Sequence, residues 1–187
     1  APRWRGHSDT EVLLAALAHW GLDGAIERAV GMFAIGLWDR NEQTLSLVRD
    51  RMGEKPLYYG RIGASFAFAS ELKAFRAHPA WRPEINRDAV TLLMRHSYVP
   101  APYSIYRGIS KLRPGHFLVL ASGDTEPRIE AYWDAAEVAL RAGRHPFTGS
   151  GEEAVTELEA LLKQSIRGQM MADVPLGAFL SGGIDSS

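Results

Sequence analysis

The 187-residue sequence contains no cysteine. This absence excludes disulfide bonds, thiolate metal sites and a cysteine nucleophile within these residues. The charges nearly balance, with a formal net charge of −1 at pH 7, so no positive excess favours nucleic acid or an anionic membrane surface. No apolar stretch approaches the roughly 18 residues that a membrane-spanning helix needs. We therefore expect no nucleic-acid partner, no membrane partner and a cytoplasmic location.

The first part of the sequence has the pattern of one helix followed by an antiparallel sheet. Ser8–Glu11 has the form of a capping box, and apolar residues then recur at helical spacing as far as Trp20. Two pairs of β-rich segments follow, each pair interrupted by turn residues, at 32–38 with 44–48 and at 56–59 with 66–69. Two short helices are predicted between Glu71 and Arg95.

The rest of the chain changes from antiparallel to α/β character. A proline-rich connector over 98–115 precedes a predicted hairpin over 117–133, and the glycine-containing stretch 142–151 is the best linker candidate. An amphipathic helix is predicted from Glu152 to about Met171. The apolar run Leu176–Leu180 then predicts a buried parallel strand. We infer two fold types on one chain.

The loop SGGIDSS, from Ser181 to Ser187, directly follows that predicted strand. Adjacent glycines let backbone N–H groups point toward one anion, serine hydroxyls add donors, and Asp185 could face a magnesium ion. The loop lacks the lysine of a Walker loop, so pyrophosphate or an AMP-forming reaction fits better than a γ-phosphate clamp. The alternative is a serine- and glycine-rich turn without function.

Other polar groups have plainer interpretations. The segment 49–56, RDRMGEKP, could form a second anion site, but a charged loop around a turn glycine is favoured. Glu71 and Lys73 favour a solvated salt-bridging face. The six histidines show no i, i+4 pair, so no transition metal is predicted. The five tryptophans favour core or interface positions over a base-stacking platform.

Several long motifs together resemble one family. SGGIDSS, GHSDTEVLL, GMFAIGLWD, RDRMGEKPLYY, FASELKAF, YVPAP and IYRGISKLRPGH are similar, in order, to segments of glutamine-hydrolysing asparagine synthetase and its class II amidotransferase relatives. The middle segment, RHSYVPAPYSIYRGISKL, most resembles the bacterial branch linked to polysaccharide gene clusters.

The resemblance implies an N-terminal Ntn-type αββα glutaminase domain and a C-terminal α/β domain that adenylates a carboxylate with Mg-ATP. It implies that Asp9 binds the α-ammonium of glutamine; without it, Asp9 reads as a first-turn acid that stabilises the helix dipole. It also implies pyrophosphate binding at Ser181, Gly182, Gly183, Asp185 and Ser186, with Leu180 lining the nucleotide pocket and Asp185 near Mg.

The expected fold class is accordingly α+β and then α/β: a partial Ntn-type αββα glutaminase domain followed by the first elements of a pyrophosphate-loop synthetase domain. The expected divisions are the second half of the glutaminase domain at 1–77, a connector region at 78–150 and the start of the synthetase domain at 151–187. We expect a fragment without a catalytic residue of its own, inactive and prone to self-association.

The parent enzyme would use glutamine, ATP and a carboxylate, with aspartate as the first choice. The alternatives are an amidotransferase of the same family that acts on another carboxylate, as in a polysaccharide-linked or β-lactam-synthetase-like enzyme, and a non-catalytic binding or scaffold module.

Overall fold

Two antiparallel sheets form the centre of the first part of the chain. The computed structural model describes residues 4–6 and 8–184. The chain divides into two units, Ala1–Ala139 and Leu140–Ser187. The helices are α1 (Asp9–Arg28), a 3₁₀ helix (Leu72–Ala77), α2 (Arg87–His96), α3 (Ala135–Arg144) and α4 (Gly151–Gln169). The strands are β1 (Ala34–Asp39), β2 (Thr44–Arg49), β3 (Tyr58–Ile62), β4 (Ser65–Ala69), β5 (Ile109–Lys111), β6 (His116–Ala121) and β7 (Arg128–Ala131).

The strands pair in the orders β1-β2-β6-β7 and β4-β3-β5, and every pairing is antiparallel. The hairpins predicted around the two early strand pairs and at 117–133 are confirmed. Strands β5, β6 and β7 all lie within the region 78–150 that was predicted to connect the two domains. These three strands complete both sheets. Residues far apart along the chain are therefore neighbours in the sheets, as with Leu47 opposite Leu118.

Three hydrophobic clusters show that this unit has four layers. Between the sheets, Leu47 and Leu118 pack with Leu57 and Leu112. On the other face of the four-stranded sheet, Ile26 of α1 packs against Val48 and Phe117. On the other face of the three-stranded sheet, Phe75 of the 3₁₀ helix packs with Ile62 and Ile109. The alternation of side chains along each strand supplies both faces, and the result is an αββα sandwich.

Helix α1 begins at Asp9 after the predicted N-cap Ser8, but its capping hydrogen bonds and its C-terminal end differ from the prediction. The Ser8 Oγ accepts the N–H of Thr10 at 3.2 Å, while the carboxylate of Glu11 accepts the N–H groups of Arg5 and Gly6. The predicted capping box is therefore not formed, because Glu11 satisfies the preceding backbone instead. The helix also continues beyond Gly21, where a φ of 71° produces a kink.

The second unit differs more from the sequence-based expectation. Helix α4 begins with a complete capping box between Ser150 and Glu153, whose hydrogen bonds lower the pKa of the Glu153 carboxyl. The prediction of a buried parallel strand over Leu176–Leu180 is wrong, since this segment is extended, exposed and unpaired with any described strand. A strand needs a hydrogen-bonded neighbour, and the described residues of this unit provide none.

Helix α3 was not predicted, although the side chain of Asp134, the residue before it, accepts the N–H groups of Ala136 and Glu137. The two short helices expected between Glu71 and Arg95 are confirmed as the 3₁₀ helix and α2. Among the described residues, no helix is both long enough and apolar enough to cross a membrane.

Candidate functional site

An open cavity of about 820 Å³ lies beside α1 and β1. Most of the residues that line it are apolar, and its charged lining residues are Asp9, Arg28 and Lys55. The rest of the lining comes from α1, the segment between α1 and β1, the start of β1 and the residue after β4, namely Thr10, Val12, Leu13, Ala16, Trp20, Ala25, Ala29, Val30, Met32, Phe33, Ala34, Ile35 and Ser70. An apolar cavity with a few polar groups is the usual form of a small-molecule site.

Asp9, the predicted glutamine ligand, is the first residue of α1 and lines this cavity. Its Oδ1 accepts two long hydrogen bonds, from the Ser8 hydroxyl at 3.5 Å and the Thr10 hydroxyl at 3.4 Å. No cationic side chain of the described residues forms an ion pair with it. An exposed carboxylate with such weak partners retains its capacity to bind a cationic group.

The loop after β2 is organised by two buried charged side chains. The carboxylate of Asp50, 1% exposed, accepts the N–H groups of Glu54 and Lys55. The guanidinium of Arg49, 9% exposed, donates to the carbonyls of Gly53, Lys55 and Leu112. Burial lowers the pKa of Arg49, and Asp50 partly opposes that shift. The loop conformation is therefore fixed from inside the protein.

Arg51 extends this network to α1 and β7. It donates to the carbonyls of Glu27 and Ala29, and its guanidinium lies 6.0 Å from the ring centre of Tyr132. Tyr132 in turn donates to the carbonyl of Arg49 at 2.8 Å. Backbone carbonyls therefore accept from both arginines, which is the arrangement that the charged-loop interpretation of 49–56 predicts.

The predicted pyrophosphate loop is described only as far as Ile184; Asp185 and Ser186 lie outside the described residues. Leu180 is exposed, and the Ser181 Oγ accepts the N–H of Gly183 at 3.3 Å. No atom lies within 4 Å of the position that a Cβ would take at Gly182. Hydroxyl and backbone N–H donors suit a phosphate, so the residue types fit ATP, but the described part forms no cradle around it.

In 4–6 and 8–184, no group of three or more His, Asp or Glu side chains is placed to hold a metal ion. Glu71 and Lys73 form an exposed ion pair at 2.6 Å, which confirms the solvated salt-bridging face.

Comparison with known proteins decides the family. Residues 1–133, more than half of the chain, match the glutamine amidotransferase domain family. The chain belongs to this family. Residues 157–187 match the asparagine synthase family. The predicted resemblance to the asparagine synthetase and class II amidotransferase family is confirmed. The predicted fold class is also confirmed, since the αββα layers occur in the part of the chain that matches the amidotransferase domain. The strand predicted over Leu176–Leu180 is the exception.

Seven of the eight most similar relatives of this chain are named asparagine synthetases. Glutamine-hydrolysing asparagine synthetase 3 of Bacillus subtilis is 35% identical over 99% of this chain and 30% of its own length. Glutamine-hydrolysing asparagine synthetase 2 of the same organism is 32% identical over 96% of this chain and 24% of its own length. Amidase chry2 of Gibberella zeae is 34% identical over 97% of this chain and 26% of its own length. The chain thus spans about a quarter to a third of these relatives.

Among solved structures, the glutamine phosphoribosylpyrophosphate amidotransferase of B. subtilis in complex with ADP and GMP is similar, with a TM-score of 0.48 and 21% identity. The match covers 71% of this chain and 24% of the solved chain. A structure of the allosteric regulatory enzyme of purine biosynthesis gives the same TM-score and identity, with 71% and 23% covered.

Two residues of the cavity were not found from the sequence. Lys55 was seen only as part of a charged loop, and Ser70 not at all. Lys55 follows β2 and Ser70 follows β4, two strands of different sheets that are remote from Asp9 along the chain, and tertiary packing places all three residues at the same cavity. The turn signal around Gly53 indicated a loop but gave no indication of what it faces.

Proposed function

We propose that the cavity beside α1 binds glutamine and that Asp9 receives its α-ammonium group. The observation that supports this most directly is the position of Asp9, the acidic side chain that lines the cavity, in a chain of the glutamine amidotransferase family. Its carboxylate is exposed and weakly bonded, so it can form a charge-assisted hydrogen bond to an ammonium group.

We further propose that a protein of the relatives' length containing this chain is a glutamine-dependent, AMP-forming amide synthetase with aspartate as its acceptor. Leu180 would line the nucleotide pocket. Ser181, Gly182, Gly183, Asp185 and Ser186 would hold the pyrophosphate of Mg-ATP, with Asp185 near the metal. ATP would activate the carboxylate as an acyl adenylate, and ammonia from glutamine would displace AMP. The match of 157–187 to the asparagine synthase family supports this assignment.

The 187-residue chain is proposed to have neither glutaminase nor synthetase turnover by itself. It has no cysteine, so no thiolate within these residues could act as the nucleophile for hydrolysis of glutamine. Binding without turnover is therefore the activity expected of this chain.

A second candidate is a synthetase of the same family that acts on a different carboxylate. The relative named amidase chry2 supports this candidate. It has a different name from the asparagine synthetases, yet it is about as similar to this chain as they are. A non-catalytic binding module is the third candidate. It would bind glutamine, but the longer protein would transfer no nitrogen from glutamine to a carboxylate.

Calorimetric titration of the chain with glutamine tests the role of Asp9. Asp9→Asn removes the negative charge and should weaken glutamine binding about tenfold, the loss of one charge-assisted bond. Asp88→Asn is the matched control, because Asp88 is also a first-turn acid of a helix, but away from the cavity. Equal affinity of wild type and Asp9→Asn would contradict the proposal.

A further inference from the structure

A second cavity, of about 350 Å³, opens at the edge of the sandwich where β5 and β7 are the last described strands of their sheets. Residues of β3, β4, β5 and β7 line this β5–β7 cavity, together with the residues just before β5 and β7. It shares no lining residue with the cavity beside α1. Its volume is at the small end of the range for ligand cavities, roughly 300–1,000 Å³, so it suits a small molecule.

Polar side chains occupy inner-face positions of the sandwich at this edge. Tyr59 packs against the hydrophobic cluster between the sheets, and Ser110 lies opposite Tyr59 in the β3–β5 pairing, so both side chains are on the inner face. Ile129 of β7 lies opposite the core residue Leu118 and faces the same layer from the other sheet. The layer that leucines fill at its centre therefore presents hydroxyl groups at its β5–β7 edge.

Several polar groups converge on the Tyr59 hydroxyl. Burial raises the pKa of Tyr59, a side-chain hydrogen bond with Ser110 and the charge of Arg113 oppose that shift, and the charge of Glu126 adds to it. These are effects of side-chain groups, so the side chains of these residues, and not only their backbones, are near the hydroxyl. Because its pKa is raised, the phenol is protonated at neutral pH and can both donate and accept a hydrogen bond.

The loop that carries Glu126 is fixed to the opposite sheet. Arg61 of β3 donates to the carbonyl of Asp124 at 2.9 Å and to that of Thr125 at 2.6 Å, both in the loop between β6 and β7. The Glu126 side chain itself is exposed, and no hydrogen bond or ion pair engages it within residues 4–6 and 8–184. An anchored loop thus presents an available carboxylate at the cavity.

The charges around the Tyr59 hydroxyl favour an uncharged ligand. Arg113 and Glu126 act on this hydroxyl with opposite signs, so an ion of either charge would be attracted by one and repelled by the other. A ligand hydroxyl group, in contrast, can donate to the carboxylate and accept from the hydroxyl of Tyr59 or Ser110. The apolar side chain of Ile129 suits the C–H groups between such hydroxyls. The cavity thus has the donor and acceptor pattern of a polyol site.

We propose that the β5–β7 cavity binds a small uncharged polyol of about the size of a monosaccharide, whose hydroxyl groups form hydrogen bonds with Tyr59, Ser110 and Glu126. Arg61 is a positioning residue, since it holds the loop that carries Glu126. The site is separate from the proposed glutamine site, and this inference does not rest on that proposal.

Three sugars with the same ring size test the preference for an uncharged ligand: methyl α-D-glucopyranoside, the cation glucosamine and the anion glucuronate. Saturation-transfer NMR titration of the 187-residue chain measures the affinity for each sugar. The methyl glucoside should bind about fivefold more tightly than either charged sugar. Tighter binding of a charged sugar, or no binding of the methyl glucoside, would overturn the proposal.

Two variants test the location of the site. Glu126→Gln keeps the shape of the side chain and removes its charge, so it should weaken binding of the methyl glucoside about fivefold. Ile129→Trp adds bulk inside the cavity and should abolish the binding. Glu42→Gln is the matched control, because Glu42 is also exposed in a turn between strands, and it should change nothing. Thermal unfolding verifies that each variant is folded, and folded Glu126→Gln and Ile129→Trp variants that bind like wild type would overturn the proposal.

Competition with glutamine separates this inference from the proposed function. Excess glutamine should leave binding of the methyl glucoside unchanged, and so should Asp9→Asn. Displacement of the sugar by glutamine would locate it in the cavity beside α1 and overturn the assignment to the β5–β7 cavity. If the chain binds no glutamine but still binds the sugar in a manner sensitive to Glu126→Gln, this inference is supported and only the glutamine proposal is overturned.

Discussion

At the residue scale, Tyr132 connects the turn after β2 to the end of the four-stranded sheet. Its hydroxyl donates to the carbonyl of Arg49 at 2.8 Å, and burial raises its pKa to about 12, with a smaller opposing effect of Arg51. A phenol whose pKa is higher in the folded state contributes stability that is complete below the unfolded pKa of about 10. That contribution is lost as the pH rises toward 12, because the unfolded chain then ionises more readily.

Tyr132→Phe should therefore have two effects on the free energy of unfolding. At pH 7 it should lower this energy by about 1 kcal/mol, the value of one hydrogen bond. Between pH 10 and 12 the variant should lose less stability than wild type does. Urea unfolding at several pH values measures both effects, with Tyr98→Phe as the exposed control. Parallel stability losses of wild type and Tyr132→Phe above pH 10 would contradict this account.

Residue roles were only partly predictable from the sequence. Asp9 follows a helix-start signal, and its place at the first turn of α1 was readable from local pattern. The burial of Arg49 and Asp50 was not, because four of the groups that they bind belong to the loop after β2 and one, the carbonyl of Leu112, belongs to a segment 63 residues from Arg49. The sequence shows directly which residues are charged, whereas long-range packing decides which of them are buried and which face a cavity.

At the element scale, Gly60 allows β3 and β5 to lie close together. A Cβ at Gly60 would be 2.1 Å from the carbonyl oxygen of Gly108 and 2.8 Å from Ile109 Cδ1. The first contact is with backbone, which can move only if the β3–β5 pairing opens. Gly60→Ala should therefore destabilise the chain by about 3 kcal/mol or more.

Gly143→Ala is the matched control for this prediction. No atom lies within 4 Å of a Cβ at Gly143, which is in α3, so alanine should be neutral or stabilise slightly through helix propensity. Urea midpoints of the two variants test the difference. A Gly60→Ala variant as stable as wild type would show that the described β3–β5 contact does not constrain the fold.

The elements that were predicted correctly are those whose evidence is local. The hairpins around β1–β2 and β3–β4 join consecutive strands with alternating side chains and turn residues between them. The capping box was assigned to Ser8 and Glu11, but the complete one is at Ser150 and Glu153, where the same spacing occurs. The segment Leu176–Leu180 shows the limit, because an apolar run predicts a strand only if another strand pairs with it.

At the scale of the whole molecule, apolar surface remains exposed in each unit. The outer edge of β1 has no partner strand among the described residues, and an unpaired edge is a common site of association. Helix α4 exposes more than half of each of five apolar side chains, Val155, Leu158, Leu161, Leu162 and Ile166. Contiguous apolar patches of this kind mark interaction surfaces.

We therefore expect the isolated chain to self-associate. Light scattering at increasing protein concentration should give a mass above that of a monomer, and Leu158→Gln combined with Leu162→Gln should lower it. Glu157→Gln, also exposed on α4, is the control. A monomer at high concentration, in wild type as in the double variant, would contradict this prediction.

The central proposal is that a protein of the relatives' length containing this chain is a glutamine-dependent, ATP-dependent amide synthetase. The most direct measurement incubates a protein of the relatives' length that contains this chain with amide-¹⁵N glutamine, Mg-ATP and aspartate, and analyses the products by mass spectrometry. The account predicts ¹⁵N-labelled asparagine together with AMP. Hydrolysis of glutamine without labelled asparagine would contradict aspartate as the acceptor. The absence of both glutamine hydrolysis and AMP formation would contradict the synthetase activity itself.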